Sequence, residues 1–284
     1  MTKQTALVDI VIPCLNAALT APSALASCVN QPFVNNVIIG DNCSDDQLEK
    51  VVKDFNSPKV IYIRFNKRVS MLENWLRTAK YSASNYVKIL PADDTLFPHA
   101  IQSEIDLLNS SEKNIALTSS PRLILHPSSI VQTILDRTIN KCHKTRSASI
   151  LVRDFEEWQS RQACNMLGEP SCILFTGAIL RRLASSKELL DDVLSEQSLY
   201  PYVTDLVLYR HYLKLVPPDS FVVFTSNPGS TFAISRNTGT WRMRHRQSTD
   251  LIHFFASMDY NITKRLRLKI YLRSAIRNAL LHAS

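Results

Sequence analysis

Four short apolar runs punctuate the first hundred residues: Val8 to Cys14, Val34 to Gly40, Val60 to Phe65 and Tyr86 to Leu90. Each is rich in Val and Ile and ends in polar or turn-forming residues, so each predicts a strand. Between them the apolar positions take helical spacing, as at Leu48, Val51, Val52 and Phe55, and again at Leu72, Trp75, Leu76 and Ala79. Strands alternating with helices predict a parallel sheet wrapped by helices. Val8-Asp-Ile-Val-Ile-Pro13 and Val37-Ile-Ile-Gly40 are apolar enough to be central strands covered on both faces.

After Pro98 the pattern loosens. The spacing predicts helices over His99 to Leu108, Asp154 to Cys164, Gly177 to Leu183 and Val203 to Leu213. Strands are expected at Ile115 to Leu117, Arg122 to Leu125, Ser171 to Phe175, Phe221 to Thr225 and Thr231 to Ile234, the last two separated by the turn signal Asn227-Pro-Gly229. A long helix is expected from about Ile262.

The 284 residues suffice for one large α/β domain with an appendage, and a composition of 45% hydrophobic and 20% charged residues is that of a soluble globular protein. No apolar stretch approaches the roughly 20 residues needed to span a bilayer, and the first nine residues do not read as a signal peptide; cytoplasmic residence is the expectation. The six cysteines form no CxxC pair and no metal-ligand spacing with histidine, so inert thiols are expected, with Cys14 and Cys28 filling core. With only five glycines there is neither GxGxxG nor GxxxxGK[ST], which disfavours glycine-cradled phosphate sites.

Charge is informative once located. Ten lysines and arginines against two acids lie between Arg236 and Ser284, equal to the net +8 of the whole chain, so residues 1–235 are balanced. From Ile262 to Leu281 the apolar Leu268, Leu272, Ile276 and Leu280 recur every four residues among six basic side chains and no acid. Such a helix reads either as a peripheral membrane contact or as a packed terminal helix with a solvated basic face. No nucleic-acid motif accompanies the charge, so nucleic acid is not expected as a partner.

The candidate chemistry sits where the first four strands end: Pro13-Cys-Leu-Asn16, Asp41-Asn-Cys-Ser-Asp-Asp46, Arg64-Phe-Asn-Lys-Arg68 and Ala92-Asp-Asp94. Strand ends of a parallel sheet converge on one crevice. The adjacent carboxylates of Asp93 and Asp94 repel each other, and a cation bridging a diphosphate would neutralise them; an acidic helix-capping turn is the plainer alternative.

The ordered set Val8-Asp-Ile-Val-Ile-Pro-Cys-Leu-Asn16, Gly40-Asp-Asn-Cys-Ser-Asp-Asp46, Arg68-Val-Ser-Met-Leu-Glu-Asn-Trp75 and Leu90-Pro-Ala-Asp-Asp-Thr-Leu-Phe-Pro98, four motifs at family-like spacing, resembles the inverting family 2 glycosyltransferases of the GT-A fold, and Gly168-Glu-Pro-Ser171 resembles a motif of members that build bacterial surface polysaccharides. The resemblance is good over residues 8–98, fair to about 215 and poor beyond. It implies a Rossmann-like, mostly parallel sheet flanked by helices, with a nucleotide-sugar-binding half at 1–98, an acceptor-binding and catalytic half of the same domain at 99–240, and a basic helical extension at 241–284.

The implied donor is a nucleotide diphosphate sugar, in the first instance a UDP-sugar, and the implied acceptor a saccharide or lipid-linked saccharide, with Mn2+ or Mg2+ as cofactor. Residue by residue, Asp41 matches the acid that contacts the base and Asp93 the one near the ribose, while Asp94 matches the metal ligand; Pro13, Asn16 and Arg68 also fall on the donor side. Asp205 stands where the family places its catalytic base, and Glu169 is the rival base or a group that positions acceptor hydroxyls. Asn74 fits a recurrent helix residue but also reads as an ordinary surface amide. Leu15 replaces a stacking aromatic, and Ser235-Arg-Asn237 lacks a histidine often seen there. A non-catalytic nucleotide-sugar or membrane-docking module of the same fold is the alternative from another class, and a nucleotidyltransferase on a related sheet ranks last.

Overall fold

The computed structural model describes residues 7–125, 149–162, 165–233 and 249–257. The expected basic helix beyond Ile262, the segment around Arg236 to Arg246 and the end of the helix expected to reach Cys164 lie outside these residues.

Four parallel strands, β1 (Val8–Cys14), β2 (Val34–Asp41), β3 (Val60–Arg64) and β4 (Tyr86–Ile89), alternate with helices α1 (Ala21–Val29), α2 (Leu48–Phe55) and α3 (Met71–Ala79). Helix α4 (Ala100–Ser110) leads to β5 (Ile115–Ser119) and β6 (Arg122–Leu125); then come β7 (Ser149–Leu151), α5 (Val152–Gln162), a 3-10 turn at Pro170–Cys172 and β8 (Ile173–Thr176). Helices α6 (Gly177–Ser185), α7 (Lys187–Leu199) and α8 (Thr204–Lys214) precede β9 (Phe221–Phe224) and β10 (Ser230–Ala233), and residues 249–256 are helical. The eight-stranded sheet runs β3-β2-β1-β4-β8-β5-β9-β7, with β8 and β7 antiparallel to their neighbours; β6 and β10 form a separate parallel pair.

Successive side chains of a strand point to opposite faces, and the core divides accordingly. On one face Val11 and Ile38 pack with Leu72, Trp75 and Leu76 of α3 and with Leu180, Tyr209 and Tyr212. On the other, Ile10, Ile12, Val37 and Ile39 meet Leu25 and Cys28 of α1 and Ile101 and Ile105 of α4. The strand reading is thereby explained: β1 and β2 are buried on both sides and need no polar face. Burying each such Leu, Ile or Val contributes about 1.5–3 kcal/mol. Gly40 allows α3 to lie close on β2, since a Cβ there would stand 1.9 Å from Thr78 Oγ1.

The described elements depart from the expected pattern in several places, the helix at residues 249–256 among them. Residues 171–172 belong to the 3-10 turn, and β8 begins only at Ile173, because Pro170 enters a turn closed by the Cys172 amide on the Glu169 carbonyl, 2.9 Å. Helix α7 is not among the expected helices, although Leu189, Leu190, Val193 and Leu194 take helical spacing along it; Val193 is buried, Leu189 and Leu190 pack against the core, and its start is a Ser186 cap accepting from the Leu189 amide. Strand β7 is three half-buried residues on the sheet edge. No described helix is long and apolar enough to cross a membrane.

Candidate active site

The carboxyl ends of β1, β2 and β4 lie side by side because these strands are adjacent in the sheet, with Pro13 opposite Gly40 and Cys14 opposite Asp41. The buried Cys14 thiol registers what gathers there. Burial pushes its pKa far up, and the charges of Asp41, Asp46 and Asp93 push it further. Asn16, at a left-handed φ of 53°, knits the loop after β1 to the loop after β2: its amide donates to Ser44 Oγ at 2.9 Å, and its Oδ1 accepts from the Asp45 amide at 2.8 Å. At the start of α2, Asp46 Oδ1 accepts from the Leu48 amide at 3.1 Å.

Asp41 is closed from solvent. Its Oδ1 accepts from the Ser44 amide at 2.8 Å, and its Oδ2 from the Tyr62 hydroxyl at 2.5 Å and Arg64 Nη1 at 2.8 Å. Burial raises its pKa, but the hydrogen bonds from Ser44 and Tyr62 and the Arg64 charge outweigh burial and hold it below the usual carboxylate value. Arg68 is exposed and donates to the Cys43 carbonyl at 2.7 Å and to Asp45 Oδ2 at 2.6 Å.

Asn74 is not a surface amide. It is buried, donating to the Gly40 carbonyl at 3.1 Å and accepting from Arg77 Nε at 2.9 Å. Arg77 also reaches Asn42 Oδ1 at 2.6 Å and lies 3.8 Å from the centre of the Phe65 ring, so α3 braces the loops after β2 and β3.

Asp94 is buried, with its amide turned back to the Pro91 carbonyl at 3.0 Å, while Asp93 is exposed. Among the described residues no three His, Cys, Asp or Glu side chains gather as a preformed cation site. One or two carboxylates suit Mg2+ or Mn2+, which take the rest of their oxygen shell from water and substrate phosphates. Asp94 and its neighbour Asp93 therefore fit such an ion when a diphosphate arrives with it.

A second acidic pair comes from the far half of the chain. Asp205 stands in the first turn of α8, its Oδ1 accepting from the Leu206 amide at 2.9 Å and its Oδ2 from Asn165 Nδ2. Asn165 also donates to the Gly168 carbonyl at 2.8 Å and accepts the Leu167 and Gly168 amides, while the Tyr209 hydroxyl donates to the same carbonyl at 2.9 Å. Gly168 takes φ of 83°, and a Cβ would lie 2.6 Å from Arg122 Nη1. The next residue, Glu169, is ion-paired with the buried Arg122. Burial, and then the nearby Glu169 charge, raise the Asp205 carboxyl from 3.8 to about 6. One carboxylate is thus neutralised by an arginine, while its neighbour is poised to exchange a proton near neutral pH.

The two rims are tied together. The Thr95 amide donates to Thr231 Oγ1 at 3.1 Å, the Phe97 amide to the Gly229 carbonyl at 3.0 Å, and Ser230 Oγ to Ser171 Oγ at 3.2 Å, which links the loop of Asp93 and Asp94 through β10 to the turn of Glu169. Tyr62, Arg122 and Asn165 escaped the sequence reading. Only Arg122, a charge opening an apolar strand run, carried a visible signal.

The family model "Glycosyl transferase family 2" matches residues 9–168. No curated protein matches the chain. Among solved structures, S. aureus TarS 1-349 in complex with UDP-GlcNAc aligns with 11% identity over 95% of this chain and 72% of that one, at a TM-score of 0.61. The same protein in complex with UDP aligns with 13% identity over 93% and 75%, at 0.55. Against the longer TarS structure the chain covers only 43% of that protein, at 0.56. These likenesses support the GT-A architecture expected from the sequence.

Proposed function

The chain belongs to glycosyl transferase family 2, and on that premise we propose that it moves a sugar, with inversion, from a UDP-sugar to a hydroxyl of a saccharide or lipid-linked saccharide at the cytoplasmic side of a membrane during surface-polysaccharide synthesis. The observation that carries this reading is the pair beside α8: an Asp205 carboxyl raised to about 6 next to a Glu169 held by Arg122.

In this reading the donor lies across the strand ends. Pro13 and Asn16 shape the floor and Asp93 faces the ribose. The base imide takes the place of the Tyr62 hydroxyl on Asp41, while Arg68 meets base or phosphate oxygens. Asp94 would hold Mn2+ or Mg2+ against the diphosphate; when bound, the ion offsets the charge of the departing group. Asp205 accepts the proton of the acceptor hydroxyl as its oxygen bonds to the anomeric carbon and the bond from that carbon to the phosphate oxygen breaks, releasing UDP. Glu169, fixed by Arg122, orients the other hydroxyls of the acceptor. TarS bound to UDP-GlcNAc in the aligned structure makes that nucleotide sugar the natural first probe.

The test is a nucleotide-sugar panel with Mn2+, read by thermal shift and by UDP release. One UDP-sugar is expected to raise the melting temperature and to be hydrolysed slowly, and a panel without any such donor would refute the proposal.

A further inference from the structure

Beneath the two rims lies an ion pair that the proposed chemistry does not touch. Lys88, in the middle of β4, and Glu104, on α4, are both closed from solvent and meet at 3.1 Å. The same ammonium donates to the Ser171 carbonyl at 3.1 Å, two residues past Glu169. Ser120 Oγ lies 3.2 Å from Glu104 Oε1 and 3.1 Å from the Cys172 carbonyl, and the Ser120 amide donates to that carbonyl at 2.9 Å.

Stability alone gives little reason for such a pair. Desolvating two charges costs about as much as their attraction returns, and apolar residues of the same volume serve a core equally well or better. What the pair does that apolar residues cannot is fix a direction: the chain leaves β4 just past Lys88 and continues to Asp93 and Asp94, while the ammonium holds the Ser171 carbonyl two residues past Glu169. We propose that Lys88 and Glu104 are positioning residues that set the distance between the acidic pair on the donor side and the Glu169 turn on the acceptor side. Released from them, the turn keeps its fold but loses its register against the crevice, and a misplacement of about 1 Å costs on the order of a hundredfold in rate.

This inference rests on the glycosyltransferase reading for its kinetic consequence but not for its structural one. The decisive variant is Lys88→Met/Glu104→Leu, which removes both charges at near-constant volume. Three readouts are taken on the whole chain: thermal unfolding, binding of UDP with Mn2+, and amide hydrogen exchange of the peptide over residues 165–173, with UDP-GlcNAc hydrolysis as a fourth where the wild type shows it.

The expected result is a melting temperature at or above wild type and UDP affinity within about twofold, with exchange over the turn faster by at least about tenfold and hydrolysis lower by a similar factor. Unchanged exchange overturns the proposal. So does a double variant that fails to fold, since the pair would then serve stability. If the wild type hydrolyses no nucleotide sugar, the functional reading fails while the exchange result still decides this one. Ser120→Ala, which deletes one hydroxyl and keeps the pair, is expected to give a smaller acceleration confined to the same peptide.

Discussion

Replacing Asp205 with Asn should stabilise the protein at neutral pH while abolishing transfer. The Asp205 carboxyl has its pKa raised from 3.8 to about 6 by burial and by the neighbouring Glu169 charge. A raised carboxyl favours the folded state when protonated: the contribution is fully present below about pH 4 and is lost as the pH rises through about 6. At pH 7.5 the ionised group therefore costs stability. The gap of about two pH units corresponds to ~3 kcal/mol at about 1.4 kcal/mol per unit, an upper bound because Asp205 is only partly closed from solvent. Asparagine keeps one acceptor oxygen for the Asn165 amide or the Leu206 amide but not both, a loss of about 1 kcal/mol. The net gain is ~2 kcal/mol, or roughly 5 °C in melting temperature for a chain of this size. Urea or thermal unfolding of the two proteins at pH 7.5 and at pH 4.5 reads the effect, which should shrink or reverse at the lower pH. A variant no more stable than wild type at pH 7.5 would refute both the perturbed carboxyl and the trade of stability for chemistry that it represents.

Three further outcomes follow from the geometry. Asp94→Asn should leave the melting temperature without ligand nearly unchanged, while the UDP affinity gained on adding Mn2+ falls at least about tenfold, measured by calorimetric titration with and without the ion. Tyr62→Phe removes the hydroxyl that occupies Asp41 Oδ2 and should tighten UDP binding by about threefold, because the base imide no longer displaces it; weaker binding would argue against Asp41 as the base acceptor. Gly40→Ala drives a methyl to within 1.9 Å of Thr78 Oγ1 and should cost about 3 kcal/mol in urea unfolding, most of it recovered in Gly40→Ala/Thr78→Ala.

The first half of the sheet was legible because β1 and most of β2 are buried on both faces: runs such as Val8 to Cys14 carry a strong apolar signal, and each ends at polar residues. The positions of Asp41, Asp93 and Asp94 at strand ends followed from that. What their side chains touch did not, since Tyr62 and Arg64 reach Asp41 across a β2 to β3 pairing that only register defines. The reading of Asn74 as a surface amide failed for the same kind of reason: Gly40 lets α3 approach closely enough for a helix amide to bond a strand carbonyl. In the second half of the chain, Glu169 and Asp205 lie 36 positions apart, and Asn165 ties Asp205 to the Gly168 backbone beside Glu169, a contact with no local signature. Lys88 did leave a trace, a charge in the middle of an apolar run, which only a partner such as Glu104 can explain.

The central claim, that carboxylates from two halves of the sheet act on one nucleotide sugar, is tested most directly by UDP release from a panel of UDP-sugars with Mn2+, run in parallel on wild type and Asp205→Asn. The account predicts one donor that both proteins bind with similar affinity and that wild type alone turns over, with a rate rising through about pH 6 to a plateau. Turnover by Asp205→Asn equal to wild type, or a wild type that binds and consumes none of them, would contradict it.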